Sequence, residues 1–378
     1  MAKKTTVFYW SPSIVNIATT KAVINSAYSL KKFSNLYDCK VFNYFGEFEK
    51  YRDKMKKKNI DLIDFYNNKI FNFFPKHGKV LSRISFIGIF FLGIIPLYNR
   101  LKYDKPDYII LHLITSLPLI LLILFKFKTK FILRISGLPR LNFFRRLLWK
   151  LASKKIYLIT CPTKNTYRYI KKLNICEDKK LHVLFDPVIN IKEIKYKQKE
   201  EIKLKQNYYL AIGRLTFQKN FLFLCKCFKK LLINHPNINL CIIGEGEQYS
   251  DLDKYIKINK LEKNIKLLGY VENVFPFIKS SKGFILSSLW EDPGFVLIEA
   301  AICRVPIFSS DAKPGPHELV KDNYNGTTFI NNDLNDFIKK FEFFLRNSEN
   351  NKLVLQNLKF CKNFTIFNHY KTLIRLLN

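Results

Sequence analysis

Short apolar segments of five to seven residues, most of them closed by a turn residue, recur along this 378-residue chain in two series. The first series reads TVFYW (6–10), CKVFNYF (39–45), DYIILH (107–112), KFILRI (130–135), KIYLIT (155–160) and LHVLF (181–185). The second reads YYLAIG (208–213), INLCIIG (238–244), NIKLLG (264–269), KGFILSS (282–288), VPIFSS (305–310) and GTTFI (326–330). Runs that are apolar throughout suit strands buried on both faces, and helical patterns separate most of them. That alternation predicts α/β architecture with parallel, doubly wound sheets. Between the series lies IKEIKYKQKEEIKLKQ, charged and almost without turn residues, which reads as a solvated connection. The expected organisation is a Rossmann-like domain over 1–190, a linker over 191–206, a second Rossmann-like domain over 207–360, and a C-terminal helix in 361–378 that is a candidate for packing back on the first domain. Ligands in such sheets bind at the carboxyl ends of strands, and two facing domains make the central cleft between them the natural site.

Composition narrows the partners. Lys plus Arg exceeds Asp plus Glu by 64 − 30 = 34, an excess that attracts phosphorylated substrates, nucleic acid or an anionic membrane surface. The eight cysteines form no CxxC pair; Cys225 and Cys227 flank one residue on a predicted helix, so reduced cytosolic thiols are expected. Met1 is followed by AKKTTVFYW, which reads as a strand opening rather than a signal peptide. ISFIGIFFLGIIPLY (84–98) is short for a membrane span and is weakened by Gly88, Gly93 and Pro96. YIILHLITSLPLILLILF (108–125) is near spanning length, but His112, Thr115, Ser116 and Pro118 divide it into a strand and a helix. LNFFRRLLWKLASKK (141–155) sets Phe144, Leu147, Leu148 and Leu151 on one helical stripe, with Arg145, Arg146, Lys150 and Lys154 off it. It reads either as a helix whose stripe covers a sheet or as a basic-aromatic face on anionic lipid.

The residues that carry chemistry stand at strand ends of the second series. In AIGRLTFQKN, Gly213 ends a strand, and Arg214 and Lys219 follow where two cations can close on one diphosphate. IIGEGEQ places Gly244 and Gly246 in a β-α turn, a weak signal by itself. In GYVEN, the turn at Tyr270 and Val271 offers backbone to a base edge. The strongest stretch is LWEDPGFVLIEA (289–300). Asp292 suits a cap, Pro293 the first helical turn, and Gly294 leaves amides open, so the following helix offers its N-terminus to an anion. Glu291 then reaches sugar hydroxyls and Glu299 both hydroxyls of a ribose, since a carboxylate accepts a charge-assisted bond on each oxygen. An ordinary capped helix with a solvated Glu accounts for the same residues less completely.

Together these motifs resemble the donor domain of the large retaining GT-B glycosyltransferase family (family 4 type) that builds bacterial surface polysaccharides, including lipopolysaccharide and capsule. The resemblance runs from about Tyr208 to Phe329 and more loosely through the first half. It rests on Glu291 and Glu299 separated by seven residues, on Gly213, Arg214, Leu215 and Lys219, on the GEG and GYV turns, and on Gly315, Pro316 and Glu318. The resemblance implies that Arg214 and Lys219 contact the donor diphosphate, that Gly294 and Phe295 offer backbone to the distal phosphate, that Glu291 lies at the transferred sugar and that Glu299 holds the ribose. It also implies retention of anomeric configuration by front-face attack, with the leaving phosphate helping to deprotonate the acceptor.

The first half departs from that pattern. The loop SPSIVNIATTKA (11–22) has no glycine, though Asn16, Thr19 and Thr20 are candidates for ligand contact. Where many relatives place a histidine the chain reads LRISGLPR (133–140), which makes Arg134 and Ser136 candidates on the acceptor side; His112, ending the preceding strand, is either a replacement or a buried structural residue. No Asp-x-Asp stands at a strand end, so no metal and no resident cofactor are expected; the nucleotide-sugar is a co-substrate. The expected partners are a nucleotide-sugar donor, a lipid-linked or oligosaccharide acceptor and an anionic membrane surface, at the inner face of the cytoplasmic membrane, without nucleic acid. A GT-B nucleotide-sugar epimerase and a non-enzymatic polyanion- or membrane-binding protein are the rival readings. The second leaves the strand-end constellation without purpose, and no nucleic-acid motif accompanies the charge.

Overall fold

The computed structural model describes residues 3–13, 18–66, 81–139, 141–204, 207–347 and 351–378. The chain divides into two compact units, Met1–Val188 with Ile366–Asn378, and Ile189–Thr365. The first unit holds β1 (Thr5–Trp10), β2 (Tyr37–Asn43), β3 (Asp61–Asp64), β4 (Tyr108–Leu111), β5 (Lys130–Arg134), β6 (Leu158–Cys161) and β7 (Leu181–Val183). All are parallel, in the order β3-β2-β1-β4-β5-β6-β7. The second unit holds β8 (Tyr209–Ile212), β9 (Leu240–Ile243), β10 (Ile265–Leu267), β11 (Gly283–Leu286), β12 (Trp290–Glu291), β13 (Ile307–Ser310), β14 (Lys313–Pro314) and β15 (Thr327–Phe329). Its parallel sheet runs β10-β9-β8-β11-β13-β15, and β12 pairs with β14 as a separate two-stranded ribbon. Both sheets are doubly wound, with strand order reversing between β1 and β4 and between β8 and β11, which are the ligand-binding switch points of such folds.

Each expected segment carries a strand, and central ones such as β4, β8, β9 and β11 are buried on both faces. In β1, Val7 and Tyr9 point into one core with the helix Ala18–Phe33, while Phe8 and Trp10 point into another with the helices between β3 and β6. The second sheet packs Tyr209, Ile285, Phe308 and Phe329 against Phe337, Phe341 and Phe344 of the helix Leu334–Asn347. Phe308 alone meets Phe329 at 4.9 Å and Phe337 at 5.0 Å between ring centroids. The additional strand β3 is a sheet edge whose two Asp ends are exposed, so it lacks the apolar run that marks the others.

Three local expectations are corrected. The 191–206 stretch is not wholly an open connection: Ile191–Lys197 is helical, anchored by buried Ile194 and by the Lys197–Glu193 ion pair at 3.3 Å, and it belongs to the second unit. The helix in 141–155 runs Phe143–Ser153, with Asn142 Oδ1 accepting from Arg145 N at 2.9 Å. It faces the core with Leu148, Trp149 and Ala152, and turns Phe144, Leu147 and Leu151 outward, so most of the expected stripe does not cover the sheet. At 289–300, Asp292 is not the cap: the helix is Phe295–Ile302, and Gly294, with φ +95°, stands at its cap position without a side-chain bond. The 108–125 stretch forms β4 and the helix Ser116–Leu124. Among the described residues no helix is long and apolar enough to cross a membrane. The last helix, Ile366–Leu377, joins the first unit through Leu373 and Leu377, which pack with Val7, Tyr9 and Ile110.

Candidate functional site

The loops after β8, β9 and β10 are stitched together by backbone. Gly213 N donates to Ile243 O at 3.0 Å, Leu215 N to Glu245 O at 2.8 Å, and Gly244 N to Gly269 O at 2.8 Å. The two glycines of the GEG turn exist for this approach. A Cβ on Gly244 would stand 1.9 Å from Gly213 O, and one on Gly246 2.4 Å from Leu215 O, with φ at +147° and +158°. Gly213 acts differently. A Cβ there would stand 2.9 Å from Lys219 Cε, so its absence leaves the channel along which the lysine stem lies.

Lys219, at the end of the short turn Phe217–Lys219, is buried, and its Nζ meets Glu291 Oε2 at 2.5 Å. Ser288 Oγ donates to the same carboxylate oxygen at 3.1 Å. The pair is held by a frame of main-chain contacts. Ser287 Oγ donates to Lys219 O at 2.8 Å, Leu289 N to Gln218 O at 2.8 Å, and Gln218 Nε2 to Trp290 O at 2.8 Å. Asn331 Nδ2 donates to Leu289 O at 2.7 Å, and Ser310 Oγ to Ser288 O at 2.8 Å. Glu291 is further fixed by the β12–β14 pairing, and Gly315 lets the GPxE segment touch the turn before Gly294, since a Cβ there would stand 2.1 Å from Pro293 O. A cation and an anion withdrawn from water at a strand end, each hydrogen-bonded into a rigid frame, form a preorganised charged site.

The structure thus brings together Gly213, Lys219, Glu291, Gly294 and Gly244. Gly294 adjoins Glu291, whose Cγ would lie 3.1 Å from a Cβ on that glycine. Arg214 is exposed, and among the described residues its guanidinium has no carboxylate partner. Phe295 opens the helix half-buried, and Glu299 is buried one turn further in. Tyr270 is exposed and Val271 half-buried beyond β10. Sequence reasoning missed Ser287, Ser288, Gln218 and Asn331. The small polar pair closing KGFILSS was a usable signal for the serines; Asn331 carried none.

In the first unit His112, Arg134 and Ser136 lie together at the β1/β4 switch point and the neighbouring end of β5. Ser136 Oγ donates to His112 O at 2.8 Å and accepts from Arg134 NH1 at 2.9 Å. Arg134 is committed elsewhere. Its Nε donates to Asp186 Oδ1 at 3.0 Å, its NH2 pairs with Asp186 Oδ2, and its NH1 also reaches Ile135 O at 2.7 Å. It therefore braces β5 to the segment after β7, which sequence spacing did not reveal. His112 is buried, and among the described residues neither ring nitrogen has a hydrogen-bond partner. Burial, with Arg134 and His369 nearby, holds its imidazole well below the usual range. His369 from the last helix donates through Nδ1 to Phe185 O at 2.8 Å and meets Ser26 Oγ through Nε2 at 2.9 Å, with Tyr9 OH 3.0 Å beyond. Asn16 lies outside the described residues.

Comparison with known proteins places these features among relatives. The sequence pattern of the family described as Glycosyl transferases group 1 matches residues 192–358. The uncharacterized glycosyltransferase MJ1059 of Methanocaldococcus jannaschii is 32% identical over 320 residues, covering 78% of this chain and 74% of that protein. The UDP-Gal:alpha-D-GlcNAc-diphosphoundecaprenol alpha-1,3-galactosyltransferase of Escherichia coli is 28% identical over 313 residues, covering 75% and 76%. Among solved structures, a glycosyltransferase from Rickettsia africae superposes with a TM-score of 0.75 at 12% identity, covering 100% of this chain and 98% of that one. Anabaena Alr3699/HepE, solved with UDP and glucose, superposes with a TM-score of 0.73 at 14% identity, covering 98% of each chain. At these identities the structural likeness is one of fold, two Rossmann-like domains of the GT-B kind.

Proposed function

The chain belongs to the group 1 glycosyltransferases, and we propose that it moves a sugar from a nucleotide-sugar, in the first instance a uridine diphosphate sugar, to a lipid-linked or glycan acceptor with retention of configuration. The observation that carries this reading is the part-buried Lys219–Glu291 pair beside the open amides that begin the helix Phe295–Ile302. Transfer breaks the bond between the anomeric carbon and the phosphate oxygen, and negative charge grows on the leaving diphosphate. Lys219, Arg214 and the helix-end amides of Gly294 and Phe295 stabilise that charge, the role a metal ion fills elsewhere. Glu291 holds the transferred sugar and Glu299 the ribose. The acceptor oxygen bonds to the anomeric carbon on the face the phosphate leaves, and its proton passes to a phosphate oxygen.

Relatives and charge support a surface-polysaccharide pathway. The E. coli relative is named for a diphosphoundecaprenol acceptor, as are two Campylobacter jejuni relatives that match shorter stretches. A lipid-linked acceptor suits a chain with a net charge of +34 working at the cytoplasmic face of a membrane in surface-polysaccharide synthesis. The test is a nucleotide-sugar panel scored by thermal stabilisation and donor turnover, then transfer to an undecaprenyl-diphosphate-linked sugar with the product's anomeric configuration read by NMR. Retained configuration supports the reading. Inversion refutes the retaining mechanism, and release of a free epimerised sugar assigns the site to an epimerase instead.

A further inference from the structure

We propose that Trp290, Phe217 and Lys313 form a glycan subsite on the outer face of the β12–β14 ribbon, where a pyranose of the acceptor chain stacks on the indole. Successive strand residues point to opposite faces, so the strand that directs Glu291 to Lys219 directs Trp290 away from that pair. Trp290 is 43% exposed, and Phe217, two residues before Lys219, is 65% exposed. Trp10 and Trp149, the other two tryptophans of the chain, are buried. The rings of Trp290 and Phe217 lie 6.3 Å apart between centroids, tilted by 51° rather than stacked on one another. Their backbone is fixed. Lys219 N donates to Thr216 O at 3.0 Å across Phe217, Gln218 Nε2 donates to Trp290 O at 2.8 Å, and Trp290 pairs with Lys313 in the ribbon. An exposed aromatic pair held on ordered backbone loses little freedom when a ligand covers it.

Size and chemistry decide the occupant. Two aromatic side chains bury at most about 400 Å², against about 1,200 Å² or more for a stable protein interface. That area suits one ring-shaped ligand. Polar groups stand at its edge. Lys313 is the Cα partner of Trp290, so its side chain shares the outer face; it is exposed, and among the described residues it has no carboxylate partner. Gln218 spends Nε2 on Trp290 O, and among the described residues its Oε1 has no hydrogen-bond partner. An aromatic face with a donor and an acceptor beside it matches a pyranose, whose C–H groups make an apolar face and whose hydroxyls both donate and accept. The position gives the subsite its use. Phe217 and Trp290 stand on the same two loops as Lys219 and Glu291, so a sugar held there lies one ribbon away from the proposed transfer site. The inference deepens the glycan-acceptor reading and rests on it: the ribbon recognises a sugar of the acceptor other than the one that reacts.

Trp290 is its own reporter, since the other two tryptophans are buried. Acrylamide quenching of the full chain is measured alone and with oligomers of glucose, of galactose and of N-acetylglucosamine, without donor. At least one oligomer lowers the quenching constant about twofold or more, and UDP alone does not. Saturation-transfer NMR on the sugar protons then reads affinity without the indole. Trp290→Ala weakens oligomer binding about tenfold or more and Phe217→Ala about threefold or more, while Trp290→Phe restores most of it. Thermal midpoints stay with that of the parent chain, because both side chains are exposed. Protection by none of the oligomers overturns the proposal, as does undiminished binding by Trp290→Ala. Protection by UDP-glucose and by no oligomer assigns the ring to the donor, and quenching that falls with protein concentration alone assigns it to a second copy; each overturns the proposal too. Oligomer protection in a chain that turns over no nucleotide-sugar sinks the transferase reading and leaves the subsite standing, and turnover without protection does the reverse.

Discussion

Removing Glu291 tests what the Lys219–Glu291 contact is for. The pair is 2.5 Å apart with side-chain exposures of 11% and 16%, so Glu291→Ala leaves an ammonium withdrawn from water without its anion. Loss of one partner of a buried pair costs about 3–5 kcal/mol. The small exposed fraction and the shallow position of Glu291 reduce this to about 2–3 kcal/mol, a fall in midpoint of about 5–10 °C for a unit of this size. The diphosphate supplies the missing anion. Saturating UDP is therefore expected to stabilise Glu291→Ala more than it stabilises the parent chain, with UDP affinity unchanged or higher and sugar transfer impaired. Lys219→Ala does the reverse: it lowers UDP affinity and cuts turnover by roughly 10²–10³-fold, as loss of a preorganised donor to a leaving anion does. Thermal melts with and without UDP, calorimetry and a transfer assay read the two variants, and the double variant gives a coupling energy of about 1 kcal/mol or more. If Glu291→Ala loses UDP affinity as fully as Lys219→Ala, the carboxylate does not serve as the lysine's resting partner and the division between sugar and diphosphate falls.

Glu299→Ala is expected to weaken both nucleotide-sugar and free nucleoside diphosphate by about 1.5–3 kcal/mol, the value of a hydrogen bond to a charged group; unchanged calorimetric affinity would reduce Glu299 to a helix residue. Transfer is expected to persist in excess chelator, and complete loss restored by Mg²⁺ or Mn²⁺ would contradict a phosphate site built from Arg214, Lys219 and amides. Stability is expected to fall on acidification. Burial first, opposed by the bond to Phe185 O and joined by Arg134, lowers His369 from 6.5 to about 4, and His112 is lowered in the same sense. The unfolded chain takes up these protons first, so the His369 contribution is whole above about pH 6.5 and declines by about 3 kcal/mol as pH falls to about 4. Urea titrations across that range should show the slope, and His369→Gln should flatten part of it.

How far the sequence could be read depended on whether a signal was local. The central strands were legible because they are buried on two faces, which writes an unbroken apolar run such as YIIL in β4 or LCII in β9. The strand β3, reading DLID, is exposed at both Asp ends and buries no residue fully, so no such run appears. Helix Phe143–Ser153 exposed a different limit. Both of its sides carry large apolar residues, Leu148 and Trp149 on one and Phe144, Leu147 and Leu151 on the other. Periodicity finds the stripes, but only the partner surface decides which one is the core. The donor side was legible as motifs because strand-end glycines and the following cation sit within a few residues. Its central contact was not, since Lys219 and Glu291 are 72 residues apart and neither motif contains the other. Arg134 shows the same blindness: it stands where a ligand-facing residue was expected, yet Asp186, 52 residues on, takes its guanidinium. Composition made such long-range pairing consequential. With 64 cations against 30 acids, most Lys and Arg have no carboxylate to meet, so a buried cation that does find one has been placed there by the fold. Among the described residues Lys219 and Arg134 are the buried Lys and Arg, and each is matched to one acid across the chain. That selectivity separates the cations that organise the two switch points from the exposed majority, which remain available to phosphate and to lipid.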